Sequence, residues 1–151
     1  MAYQPMRFED YALEMEFSAG PRTISRQDIA DFARLSGDHT ALHSDEAYAS
    51  TTPFGRVVAH GALNLAVATG LAYATGIFEG TVLAVRSMDV AFDRPVFPGD
   101  QLTLDMTVRE LEGQPRPGRG QVAFRVRLRN QDSRVVLQGI WRLVVRRSNA
   151  G

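Results

Sequence analysis

The chain changes its hydrophobic rhythm near residue 80. Before that point apolar residues recur at helical spacing or crowd together; after it they alternate with polar ones, as they do in strands. Residues Ala12 to Phe17 have the pattern of a short strand. Ser25 then opens the run SRQD, a capping box with Asp28 three positions on, and the stripe Ile29, Ala30, Phe32, Ala33, Leu35 predicts a helix over Arg26 to Leu35. Gly37, just past its end, fits a C-terminal cap. Asp45 can cap a single turn over Glu46 to Ala49, and Pro53 keeps the following residues from continuing it. From Val57 to Phe78 the chain is almost wholly apolar. His60, Asn64, Thr69, Thr75, Gly61, Gly70 and Gly76 interrupt that run, so it reads as a buried helix beginning near His60 rather than as a membrane span. A helix that is apolar on every face has to be wrapped by something large.

The wrapping comes from the second half. Alternation runs over Val82 to Phe92, through Leu102, Leu104, Met106 and Val108, through Val122, Phe124, Val126 and Leu128, and over Arg134 to about Val145. PVFPGD at 95 to 100 and EGQPRPGRG at 112 to 120 supply the turns, and connections this short join antiparallel neighbours. The expected fold is α+β: one strongly bent antiparallel sheet wrapped around a long central helix, with residues 1–151 forming one domain. Arg125, Arg127 and Arg129 lie on the face of their strand opposite the core residues and read as a solvated sheet surface.

Charge then narrows the partners. The 17 basic residues, all arginine, balance 17 acidic ones, so no overall field recommends nucleic acid or an anionic membrane, and a small molecule is expected instead. With no cysteine there is no disulfide, thiolate nucleophile or thiolate metal site. The opening MAYQPMRFEDYALEMEF lacks a basic segment followed by an apolar one, which leads us to expect a cytoplasmic protein.

Candidate chemistry gathers in two stretches. SGDHTALHSD, residues 36 to 45, sets Asp38 and His43 five positions apart on a short irregular loop past the first helix, where they can face one water from two sides. FGRVVAHGALNLAVATG, residues 54 to 70, opens the apolar helix at His60-Gly61. The first amides of that helix have no internal partner, its dipole adds positive potential, and Gly61 has no side chain to obstruct an approaching carbonyl. A base, an acid and a trap for enolate charge are what adding water beside a thioester carbonyl requires. Histidine titrates near neutrality, and a partly desolvated carboxylate is a better base than one in water, so either residue could hold the moving proton. His60 is expected to orient the helix start by hydrogen bonding, and His39 to be exposed. Asp38, His43 and His60 do not form a recognised metal-ligand spacing, so neither a metal nor a redox cofactor is expected.

The segments TIS (Thr23 to Ser25), FARLSGDHTALHSD, FGRVVAHG and FDRPVFPGD (Phe92 to Asp100) follow one another with the order and spacing seen in single-domain MaoC-like dehydratases. The chain therefore resembles the (R)-specific enoyl-CoA hydratases, which have the hot-dog fold. The resemblance implies that Asp38 and His43 are a catalytic dyad, that the Gly61 amide binds the thioester oxygen, and that Thr69 takes the place of a family serine beside the dyad. It also implies reversible syn addition of water to a trans-2-enoyl-CoA or acyl-carrier thioester, giving the (3R)-hydroxyacyl product in fatty acid metabolism. A homodimer or higher oligomer is expected, with the acyl tunnel near the subunit boundary, because a bent sheet leaves edges and an uncovered helix flank. Thr40-Ala41 stands where the family usually has Asn-Pro, which loosens the loop and removes a side-chain amide. Two other activities suit the fold: an acyl-CoA thioesterase, and an acyl-CoA-binding subunit silenced by the Thr40-Ala41 change. Thioesterases of this type commonly carry an acid on the central helix, whereas Gly61 to Phe78 holds neither Asp nor Glu.

Overall fold

A computed structural model describes residues 3–113 and 116–148. The alternating segments become strands β1 (Glu16–Thr23), β2 (Val82–Phe92), β3 (Gln101–Gly113), β4 (Arg119–Arg129) and β5 (Val135–Arg146), all antiparallel in one sheet of order β1-β3-β4-β5-β2. The inward residues of β4, namely Val122, Phe124, Val126 and Leu128, are fully buried. On β4's other face Arg125 and Arg129 are half-buried and Arg127 is exposed, and Arg129 pairs with Asp105 on β3. Of the turn expected over 112 to 120, Gln114 and Pro115 lie outside the described residues.

The sheet curves over α4 (Gly61–Ala74), which buries Leu63, Asn64, Val67, Ala68, Leu71 and Ala72. The helix is shorter than the apolar run, and it is not buried all round. Ala62, Ala66, Thr69, Gly70 and Tyr73 form an exposed stripe on its far side, so the sheet wraps only part of it. Among the described residues no helix is long and apolar enough to cross a membrane.

The first helix, α1 (Arg26–Ser36), follows its sequence signals closely. Ser25 Oγ accepts from the Asp28 N–H at 3.0 Å, the Asp28 carboxylate accepts from the Ser25 N–H at 2.8 Å, and Gly37 ends the helix in the left-handed region at φ 80°. Strand β1 departs from expectation, lying at 16–23 rather than 12–17. The strand passes through Gly20-Pro21 with a register shift between Ala19 and Arg22. Gly20 takes φ 123° there, and a Cβ would come within 2.7 Å of the Leu102 carbonyl oxygen. The proline is tolerated because β1 is an edge strand, where a bulge and a missing donor cost little.

Two single-turn helices, α2 (Ala41–Ser44) and α3 (Glu46–Ala49), follow α1. Asp45 caps the second as expected, accepting from the Tyr48 N–H at 3.1 Å. The extended segment before α4 is pinned from both sides: the Val58 N–H donates to the Leu42 carbonyl at 3.3 Å, and the Ala59 N–H to the Val96 carbonyl at 2.8 Å. That clamp holds α2 and the start of α4 in fixed relation.

Candidate active site

Asp38 leaves α1 immediately after its glycine cap. Its carboxylate is exposed and accepts two hydrogen bonds from Thr40, from the hydroxyl at 2.6 Å and from the N–H at 3.1 Å. These bonds, the hydroxyl's first, hold the Asp38 carboxyl below its ordinary value, and the His60 and His43 rings add to the effect. Two expectations change here. Thr40 does not loosen the loop but ties it to Asp38, and the carboxylate is solvated and stabilised in its ionised form rather than made more basic by burial.

His43 sits on the α2 turn, not on an irregular loop. Its Nδ1 lies 2.7 Å from the Val58 carbonyl oxygen. A carbonyl only accepts, so the proton of the neutral ring is on Nδ1 and Nε2 carries the lone pair. His60 is the residue before α4, only 2% exposed, and its Nε2 donates to the Asp38 backbone carbonyl at 3.0 Å. This one bond ties the start of the long helix to the loop bearing the carboxylate, the orienting role expected of His60. The His43 and His60 rings stack with centroids 3.9 Å apart and planes 27° apart, and Phe32 packs against His60 at 4.9 Å.

Each of Asp38, His43 and His60 contributes one ligand-type atom to a group lying within 4.8 Å. One carboxylate and two imidazoles are a plausible donor set for a divalent ion. The near-parallel rings, however, send their in-plane lone pairs side by side rather than toward one point, and one nitrogen of each ring already faces a carbonyl. The cluster suits a shared proton or water better than a metal.

A groove of about 320 Å³ runs from His43 past Gly61, with Leu42, Val58, Asn64 and Phe92 in its walls. Gly61 opens α4, so its N–H has no partner inside the helix and lies at the positive end of the dipole. A Cβ on Gly61 would stand 3.0 Å from the Phe92 ring. The missing side chain thus makes room first for Phe92 at the end of β2. Thr69 is not brought to the cluster: it lies more than two turns along α4 on the exposed stripe, its hydroxyl donating to the Ala66 carbonyl at 2.6 Å. His39 is exposed, as expected.

Sequence reasoning missed Phe92, Asn64 and the Val58 carbonyl. Asn64 was visible as the one amide in an apolar helix, and Phe92 as the first residue of FDRPVFPGD. Nothing marks a backbone carbonyl in a sequence.

A five-stranded antiparallel sheet curved over one helix is the hot-dog architecture, and a Mycobacterium tuberculosis protein described as a double hot-dog fold superposes with a TM-score of 0.85, covering 97% of this chain and 46% of that one at 22% identity. The chain belongs to the MaoC-like domain family, whose model matches residues 10–128. It is 37% identical over 84 residues to an (R)-specific enoyl-CoA hydratase from Aeromonas caviae, an alignment covering 56% of this chain and 61% of that one. The X-ray structure of a monoamine oxidase regulatory protein from Archaeoglobus fulgidus superposes with a TM-score of 0.88 at 31% identity, covering 98% and 99% of the two chains. The chain spans between 26% and 61% of the first curated relatives it matches.

Proposed function

We propose that residues 1–151 form a single hot-dog domain that reversibly adds water to trans-2-enoyl-CoA or acyl-carrier thioesters, giving (3R)-hydroxyacyl thioesters. One observation carries this reading: Asp38 and His43 converge within 4.8 Å, and His43 shares its groove with Gly61, whose N–H has no partner inside its helix. In the reaction a water held between the two side chains gives a proton to His43 Nε2 while its oxygen bonds to C3. Asp38, whose ionised form Thr40 stabilises, accepts a hydrogen bond from the water's other O–H, which stays on the oxygen, and orients the attack. The carbonyl oxygen, now enolate, meets the Gly61 N–H. The same imidazole then returns its proton to C2, so one molecule of water is added across one face and His43 is restored. His60 holds the dyad loop to the helix start. The (3R) outcome is supported by the named hydratase relative, and surface arginines would meet the phosphates of a CoA arm.

Pairing of two subunits belongs to the same reading. Strand β2 ends the sheet with an open edge and exposes Leu83, Val85 and Phe92. A second copy added along this edge would cover those residues and set its own surface close to Phe92 in the groove wall.

The test is a spectrophotometric assay with crotonyl-CoA. Wild type should consume the conjugated-enoyl absorbance, while Asp38→Asn and His43→Ala should each lose at least about a hundredfold in kcat, the loss expected of an acid–base group. Binding with no change in absorbance would point to a silent acyl-CoA-binding subunit. Release of free CoA would point to a thioesterase.

A further inference from the structure

Phe32 takes no part in the reaction as written, yet it packs on the residue that ties the dyad loop to the helix start. That residue, His60, makes one side-chain hydrogen bond, from Nε2 to the Asp38 backbone carbonyl at 3.0 Å. A carbonyl only accepts, so the proton of the neutral ring is on Nε2 and the lone pair is on Nδ1. Nδ1 is sealed from solvent and has no partner among the described residues. A buried lone pair without a donor is costly, so hydrogen bonding alone does not hold the ring where it stands, and an opening that brought water to Nδ1 would favour other orientations. Packing supplies the rest. His43 stacks on His60 with centroids 3.9 Å apart, and Phe32, half-buried in the middle of α1, meets His60 at 4.9 Å with the planes 59° apart.

What the ring orientation controls is the backbone of Asp38. On its amino side that residue is secured by α1 itself: its N–H donates to Ser36 Oγ at 3.1 Å, and the Ser36 hydroxyl donates to the Phe32 carbonyl at 2.7 Å. Its own carbonyl depends on a ring 22 residues further along the chain. A turn of His60 about Cβ–Cγ carries Nε2 away from that carbonyl. It also disturbs the His43 imidazole stacked against the same ring. We propose that Phe32 is a positioning residue of the reaction: its ring clamps His60 in the orientation that bonds Asp38, and so keeps the carboxylate and the His43 imidazole aimed at one water. This rests on the hydratase reading and adds to it a residue that does not line the groove.

Phe32→Leu and Phe32→Met remove the ring but keep an apolar side chain suited to a helix, and either one decides the matter if the other fails to fold; Phe32→Tyr keeps the ring. With crotonyl-CoA, the two ringless variants should lose about tenfold or more in kcat while KM stays within about twofold, because the acid–base groups are misaligned and the groove is not. Phe32→Tyr should restore most of the lost rate. Nitrogen-15 NMR of the histidines reads the clamp itself: wild type and Phe32→Tyr should show His60 protonated on Nε2 with that proton slow to exchange, and the ringless variants should lose the slow proton. A merely structural role would lower Tm and leave both the His60 signal and the kcat of the folded protein where they were, which overturns the proposal. A Phe32→Tyr variant as slow as Phe32→Leu overturns it too. If wild type does not hydrate crotonyl-CoA, the reaction reading itself fails, and the NMR comparison decides whether Phe32 clamps His60: loss of the slow Nε2 proton without the ring upholds the clamp, and its retention overturns it.

Discussion

At the scale of single residues, the chemistry depends on how few groups hold Asp38 in place. Thr40 supplies both bonds to the carboxylate, from its hydroxyl and from its N–H. Thr40→Val keeps the shape and the N–H but deletes the hydroxyl, the larger of the two contributions. Asp38 should then titrate at higher pH, closer to an ordinary carboxylate, and the acid limb of the kcat/KM profile should move up with it. Carbon-13 NMR of the Asp38 carboxyl measures the first effect and a pH–rate profile the second; an unmoved Asp38 titration would remove Thr40 from the account. Gly61 offers a separate handle. A methyl there meets the Phe92 ring at 3.0 Å, but that ring is 54% exposed and can swing aside. Gly61→Ala should therefore unfold no earlier than wild type, since alanine is favoured over glycine in a helix by about 1 kcal/mol. Its kcat/KM should nonetheless fall about tenfold or more, because the displaced ring reshapes the approach to the amide. Adding Phe92→Ala should restore part of the loss, which a double-mutant cycle of rates would show.

At the scale of elements, α1 owes its position to Asp28, which closes the capping box and also receives the Arg22 guanidinium at 2.8 and 3.1 Å. Chiefly because of Arg22, the Asp28 carboxyl is held down at about 2, below its ordinary 3.8. The ionised form is therefore favoured in the folded state. Its contribution is complete above the unfolded value of about 3.8 and is lost as pH falls toward 2. Asp28→Asn should lower Tm at neutral pH and flatten the decline in stability between about pH 4 and pH 2, as measured by thermal melts across that range. This cap was legible in sequence because every partner lies within three residues, as were the Gly37 end of α1, the Asp45 turn and the whole span of β2. What escaped the sequence was set by distant partners. Strand β1 passes through Gly20-Pro21 only because β3 supplies a register to bulge against, and the α2 turn beneath His43 is held by Val58, 15 residues on. For the site, the cluster of Asp38, His43 and the helix start at Gly61 was readable from two motifs. Thr69, which the resemblance set beside the dyad, lies within this chain on the exposed stripe of α4 with its hydroxyl on the Ala66 carbonyl, because a resemblance in sequence does not say which side of the helix the sheet covers.

At the scale of the molecule, the curved sheet leaves its two edges, β1 and β2, and the far stripe of α4 open among the described residues, and of the two edges it is β2 that carries a residue of the groove wall, Phe92. An 11-residue edge bearing Leu83 and Val85 offers a row of free backbone groups to any matching strand, and its two exposed charges, Arg86 and Asp89, are of opposite sign, so a second copy brings no net repulsion to it. A second copy of β2 running antiparallel satisfies both chains by the same contacts, as a two-fold interface requires. Phe92 closes the argument, because it ends that strand and also packs over Gly61, so pairing at the edge would steady a wall of the reaction groove. Light scattering should accordingly give the mass of two chains. Val85→Lys, which places a charge on an already exposed position, should shift the protein toward the single-chain mass without loss of helix or strand signal in circular dichroism. Crotonyl-CoA hydration should fall as the dimer dissociates and recover as protein concentration rises. A fully active single chain, or a dimer indifferent to Val85→Lys, would move the interface away from β2 and leave Phe92 to be steadied from within its own subunit.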